Sequence, residues 1–121
     1  MELQRLGASG LKVSPIVLGC MSYGQPDRGS HPWSMPEADS RQFFERALAA
    51  GITTFDTADM YSLGSSEEIT GRALAELADR EDVVIATKVY MPMKENGYSK
   101  GLSRKHLLQA VDASLTWLGT D

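Results

Sequence analysis

Three short apolar, β-branched runs alternate with three helical stretches along this chain, and that alternation restricts the fold more than any other feature. The runs are Ile16-Val17-Leu18-Gly19, Ile52-Thr53-Thr54-Phe55 and Val83-Val84-Ile85-Ala86-Thr87. A strand that returns through a helix pairs in parallel with its predecessor, because a tight hairpin can join only antiparallel neighbours. The expected class is therefore α/β, with parallel strands and crossover helices.

Local signals set the helix boundaries. Ser34-Met35-Pro36-Glu37 reads as a capping box with proline in the first turn, and Phe44, Ala47 and Leu48 follow at helical spacing before Gly51, a C-terminal glycine. Ser65 to Glu68 repeats the capping box, ahead of an i, i+4, i+8 stripe of Ile69, Ala73 and Leu77. Ser103 starts a third helix, with Leu107, Val111, Leu115 and Leu118 on one face and Gly119 closing it. Val83 to Thr87 is a continuous apolar run, which predicts a strand covered on both faces. Residues 3–13 read as a hairpin around Gly7-Ala8-Ser9-Gly10. With no linker or repeat, one domain is expected over residues 1–121: the hairpin, then βα units 16–51, 52–80 and 83–119.

Both a doubly wound sheet and a (β/α)₈ barrel begin in this order. The first strand-to-helix connection contains GCMSYGQPDRG and lacks a G-x-G-x-x-G running directly into a helix, which tilts the pattern toward the barrel. The loop Ser22 to Met35 is long, rich in Gly and Pro, and carries Tyr23, His31 and Trp33; loops of this length often serve function. Tyr23 and Trp33 either line a pocket or fold onto the loop itself.

Composition narrows the classes of function. At 42% hydrophobic and 23% charged residues the chain is ordinary for a soluble globular protein, and a net charge of -4 gives no basic surface for nucleic acid. A single cysteine, Cys20, cannot form an internal disulfide. No apolar leader and no run of transmembrane length is present, so no membrane segment is expected and a cytoplasmic location is the reading that follows. His31 and His106 share no ligand spacing, so no metal is expected.

The strand ends carry the candidate chemistry. In (β/α)₈ barrels reactive groups sit at the C-terminal ends of strands, and here those ends bear Gly19-Cys20-Met21, Asp56 and Lys88. Burial would lower the pKa of Lys88 unless an anion compensates, and Asp56, one strand earlier, is the natural partner. A structural ion pair fits the same two residues equally well. Tyr61 lies five residues beyond Asp56 and could reach the same pocket. A phenol titrates at about 10, and a neighbouring ammonium would favour the phenolate, suiting it to donate a proton to a carbonyl oxygen. The alternative is that the Tyr61 ring packs at the loop base.

GITTFDTADMYSLGSSEEITGRAL closely resembles the signature of the aldo-keto reductases, and VVIATKV resembles that family's lysine-bearing strand. LGASGLKVSPIVLGCMSYG resembles its opening hairpin and first strand. GLSRKHLLQAVDASLTWLGTD resembles the third helix of the aryl-alcohol-dehydrogenase-like and potassium-channel-β-subunit-like branches. The resemblance implies a (β/α)₈ barrel and reversible, NADPH-dependent reduction of aldehydes or ketones by hydride transfer. It also implies roles: Tyr61 as general acid, Lys88 as its activating cation, Asp56 as partner of Lys88. Gly19, Cys20, Met21 and Asp56 would lie beside the cofactor.

The resemblance further implies a catalytic histidine beyond Asp121, and a barrel of which these residues would form the hairpin and first three βα units. On that expectation the isolated chain would be poorly stable, would associate, and would reduce no carbonyl. A regulatory, channel-β-subunit-like binding role is the second expectation; the lack of an extended segment before the hairpin leans away from it.

Overall fold

The computed structural model describes all 121 residues. A two-stranded antiparallel hairpin comes first: β1 (Gln4–Arg5) pairs with β2 (Lys12–Val13), with Gln4 opposite Val13. Its turn closes through Leu6 N–H to the Leu11 carbonyl at 2.9 Å. The chain then forms a parallel sheet of three strands in the order β3 (Leu18–Gly19), β4 (Thr54–Asp56) and β5 (Val84–Ala86). The crossovers are α1 (Glu37–Ala49) and α2 (Ser65–Leu77), and α3 (Arg104–Leu118) follows β5. The α/β class and parallel order are therefore as the sequence predicts. The strands are shorter than the apolar runs that announce them.

The core lies between the sheet and helices α1 and α2. Phe44 and Phe55 are fully buried and stack with ring centroids 6.0 Å apart, with Ile69, Ala73, Leu74 and Cys20 around them. Tyr23 joins this cluster, its ring 5.0 Å from that of Phe44, so the loop's first aromatic is a core residue rather than a pocket wall. Gly51, at φ +80°, follows the end of α1, and Gly119, at φ +64°, closes α3 as expected.

Several expectations fail for physical reasons. Neither serine-led capping box forms: Pro36 and Gly64 occupy the N-cap positions, without side-chain caps. The serines are used elsewhere. Ser65 Oγ accepts from the Gln25 amide at 2.8 Å, and Ser66 Oγ donates to the Cys20 carbonyl at 2.7 Å, so both fasten the first loop to the start of α2. Ser34 is buried and its hydroxyl accepts from Ser62 Oγ. Only Ser103 caps as expected, accepting from the His106 amide.

Strand β5 is not covered on both faces. Val83 is buried, Val84 and Ile85 are half-buried, and Ala86 and Thr87 are exposed, because β5 pairs with β4 alone and lies at the sheet edge. The expected apolar stripe of α3 is only partly buried: Leu118 is buried and Leu107 and Leu115 are half-buried, but Val111 is exposed, and His106, Ala110 and Ser114 fill the rest of the buried face. Where Leu118 meets Gly71, α3 comes very close to α2. A Cβ placed on Gly71 would collide with the backbone carbonyl of Leu118.

Gly71→Ala is therefore expected to destabilise the chain by at least the ~1–3 kcal/mol usual for overpacking, since a backbone carbonyl cannot swing aside as a side chain would. Thermal unfolding checks this, and an unchanged Tm would contradict the close α2–α3 contact.

Candidate functional site

The parallel register brings the strand ends together. Gly19 pairs with Asp56, and Asp56 with Ala86, so Lys88 follows β5 by two residues on the same side of the sheet. Lys88 Nζ donates to Asp56 Oδ2 at 2.8 Å and to the Thr57 carbonyl at 2.7 Å, and lies 5.0 Å from the centroid of the Tyr61 ring. Asp56, Tyr61 and Lys88 thus form one cluster.

Lys88 is less buried than its apolar run implies, with 47% of its side chain exposed. Partial burial pulls its pKa down. The hydrogen bond and charge of Asp56, with Tyr61 adding to them, more than offset that pull and hold the ammonium above the usual lysine value. The anion anticipated beside Lys88 thus does compensate.

Tyr61 opens a 3-10 turn, Tyr61–Gly64, in which Ser62 and Leu63 both take left-handed backbone angles, φ 46° and 47°. Such angles strain any residue but glycine and persist only where the surroundings enforce them. Arg28 supplies part of that enforcement, donating to the Leu63 carbonyl at 2.7 Å and to Glu68 at 3.0 Å. The long first loop therefore clamps the turn that carries Tyr61. It also brings His31 edge-on to the Tyr61 ring, centroids 6.2 Å apart, with Trp33 behind it at 4.9 Å. Sequence reasoning missed that contact, because it depends on how a loop folds back rather than on spacing.

The residues after β3 divide. Gly19 is exposed, with no atom within 4 Å of where a Cβ would stand, and Met21 is also exposed. Cys20 turns the other way, into the core, where burial pushes its thiol up to about 12. Its amide donates to the Asp56 carbonyl and its own carbonyl accepts from Ser66, so Cys20 presents neither side chain nor free backbone to the opening. A groove of about 490 Å³ runs beside the cluster, lined by Tyr61, Lys88, Tyr90 and Met91 among others.

Behind the cluster lie two buried carboxylates that no sequence signal distinguished. The Asp59 amide donates to the Lys88 carbonyl at 3.1 Å. Glu67 Oε1 accepts from Thr87 Oγ1 at 2.7 Å, one residue before Lys88. Burial raises the Glu67 carboxyl above its ordinary value; contacts with Thr87 and Ser114 draw it down in part, and Asp59 pushes it up again. An acid whose folded pKa is raised favours folding while protonated. That contribution is present below the ordinary value of 4.5 and is lost as pH rises through the folded pKa.

Glu67→Gln, neutral and of the same shape, is accordingly expected to raise Tm near neutral pH and to leave it unchanged in acid. The gain should be a few degrees, since about 1 kcal/mol moves the Tm of a small domain by roughly 2–8 °C. A Tm that falls at neutral pH would mean that the Glu67 charge is compensated in the fold.

Comparison with known proteins follows the same geometry. The aldo/keto reductase family model matches residues 15–121. Versiconal hemiacetal acetate reductase of Aspergillus parasiticus is 46% identical over 99% of this chain and 40% of its own length. A Saccharomyces cerevisiae protein named as an aryl-alcohol dehydrogenase is 41% identical over 96% of this chain and 39% of its own. The solved holo form of an aldo-keto reductase from Bacillus halodurans superposes with a TM-score of 0.78 at 34% identity, covering all of this chain and 37% of that one. The chain thus spans about two fifths of the length of these relatives, and its hairpin and parallel βα units match the N-terminal part of their (β/α)₈ barrels. No helix is long and apolar enough to cross a membrane.

Proposed function

Because the chain belongs to the aldo/keto reductase family, we propose that it contributes the proton-donating centre for NADPH-dependent reduction of an aldehyde or ketone. The observation that carries this reading is the Lys88 ammonium, held 2.8 Å from Asp56 and 5.0 Å from the Tyr61 ring at the strand ends.

Each residue then has a task that its surroundings support. Asp56 keeps Lys88 charged and fixed, helped by the Thr57 carbonyl. The Lys88 charge stabilises negative charge as it develops on the Tyr61 oxygen. Tyr61 donates its proton to the carbonyl oxygen as that atom becomes an alkoxide. In the reverse direction Tyr61 takes the proton from an alcohol.

The residues around the opening fit a flat, polar cofactor edge: Gly19 leaves room, Met21 is exposed and Asp56 is 59% buried at its side chain yet accessible at the rim. Gly19, Met21 and Asp56 would hold the nicotinamide end of the cofactor, with Cys20 supporting that wall from the core. When bound, the nicotinamide supplies the hydride. The substrate is a small carbonyl compound admitted along the groove beside Tyr61 and Tyr90.

The test is a chimera in which residues 1–121 replace the matching part of the Bacillus halodurans protein. NADPH oxidation that depends on added para-nitrobenzaldehyde is expected. A chimera that folds and binds NADPH but reduces no aldehyde would overturn the proposal.

A further inference from the structure

Ser62 and Leu63 are the chain's non-glycine residues with left-handed backbone, and they directly follow Tyr61. Such strain persists only where neighbours impose it, and a released turn would relax and carry Tyr61 with it. Ser62 is fully buried; its hydroxyl donates to Ser34 Oγ at 3.3 Å, and a Cβ on Gly24 would collide with it. Gly64, at φ +89°, lies so close under the Trp117 ring that a Cβ there would stand 2.8 Å from it. Packing thus holds the turn on either side of Leu63.

Leu63 itself is the exposed residue of the turn, and there a side chain from the first loop takes over. Arg28 Nη2 donates to the Leu63 carbonyl at 2.7 Å while Nη1 donates to Glu68 Oε2, on α2, at 3.0 Å. A guanidinium is a rigid plane, so two bonds from one head fix the carbonyl relative to the helix. Arg72 shows what an arginine does here without such a task. It joins α2 to α1 through two bonds to Glu37, at 2.9 and 2.8 Å, and its hydrogen bonds reach no backbone of the turn.

We infer that Arg28 is a positioning residue for the proposed reduction: by holding the Leu63 carbonyl against α2 it fixes the turn that aims the Tyr61 hydroxyl. Arg28 acts through Tyr61 and needs no contact with substrate. Its effect on rate rests on the reductase reading; its effect on the place of Tyr61 does not.

The experiment uses the chimera labelled with ¹³C in its tyrosine rings, the Tyr61 signal being the one that Tyr61→Phe removes. Arg28→Met should displace that signal and lower kcat about tenfold or more, since misplacing a catalytic group by even 1 Å is costly. KM and NADPH affinity should stay at the parental values. Arg28→Lys should give an intermediate kcat, because its ammonium can still reach the Leu63 carbonyl. Arg72→Met, which removes an ion pair away from the turn, should leave the Tyr61 signal and kcat unchanged. If Arg28→Met does not fold, Glu68→Gln carries the test: it strips the charge that anchors Arg28, and kcat should fall about threefold with the same displacement of the signal. Parental kcat and signal in the variant that folds, a loss of kcat with the Tyr61 signal unmoved, a loss confined to KM or NADPH affinity, or an equal loss in Arg72→Met would each overturn the inference. If the parent chimera reduces no aldehyde, the reductase reading fails by itself, and the Tyr61 signal alone decides whether Arg28 holds that residue.

Discussion

Tyr61→Phe in the chimera is expected to lower kcat for aldehyde reduction by about 10²–10⁴-fold, the range associated with removing a positioned general acid. The ring stays, so its edge contact with His31 and its place beside the Lys88 ammonium should survive. NADPH affinity should change little for the same reason. A loss of cofactor binding in parallel with the loss of rate would mean that the variant disturbs the clamped turn at Ser62 and Leu63 rather than proton donation alone.

Lys88→Met should reduce kcat by at least about 10²-fold, because a preorganised charge aimed at a developing anion is among the largest single contributions to rate. Methionine keeps much of the stem and removes the ammonium. Asp56 is then left without its partner, but it is 41% exposed and water can solvate it, so the fold should hold. The unsubstituted lysine sets no pH limit below its ordinary value, because Asp56 holds its pKa up and the ammonium persists to 10.5 and beyond. A decline in the reduction rate that begins at lower pH is therefore expected to follow loss of the general acid's proton rather than of the Lys88 charge.

The cluster was legible in the sequence because strand ends are legible. A β-branched run ending in Asp56 and another ending in Lys88 put two charges at one end of a parallel sheet, and the register pairs Asp56 with Ala86. Helix ends marked by Gly51, Ser103 and Gly119 were readable for the same local reasons. What escaped depends on chain segments far apart in sequence. Ser34, Ser65 and Ser66 carry the chemistry of helix caps, but the first loop folds back and takes their hydroxyls. The leucines of α3 mark its buried face only in part: Leu118 packs against Gly71, but Val111 is exposed and His106, Ala110 and Ser114 turn inward beside it. Asp59 and Glu67 look like ordinary loop and helix-surface acids; only the fold shows that α3 covers the first and that Thr87 meets the second.

The central claim is that Lys88 acts through Tyr61, and a double-mutant cycle on kcat measures it most directly. Groups that work as one unit are strongly non-additive. Tyr61→Phe, Lys88→Met and the double variant are compared in the chimera. The expected result is a double variant no slower than the slower single variant, because the lysine has nothing left to activate once the phenol is gone. Losses that multiply, so that the double variant falls by the product of the two, would contradict the claim and make Lys88 and Tyr61 independent contributors.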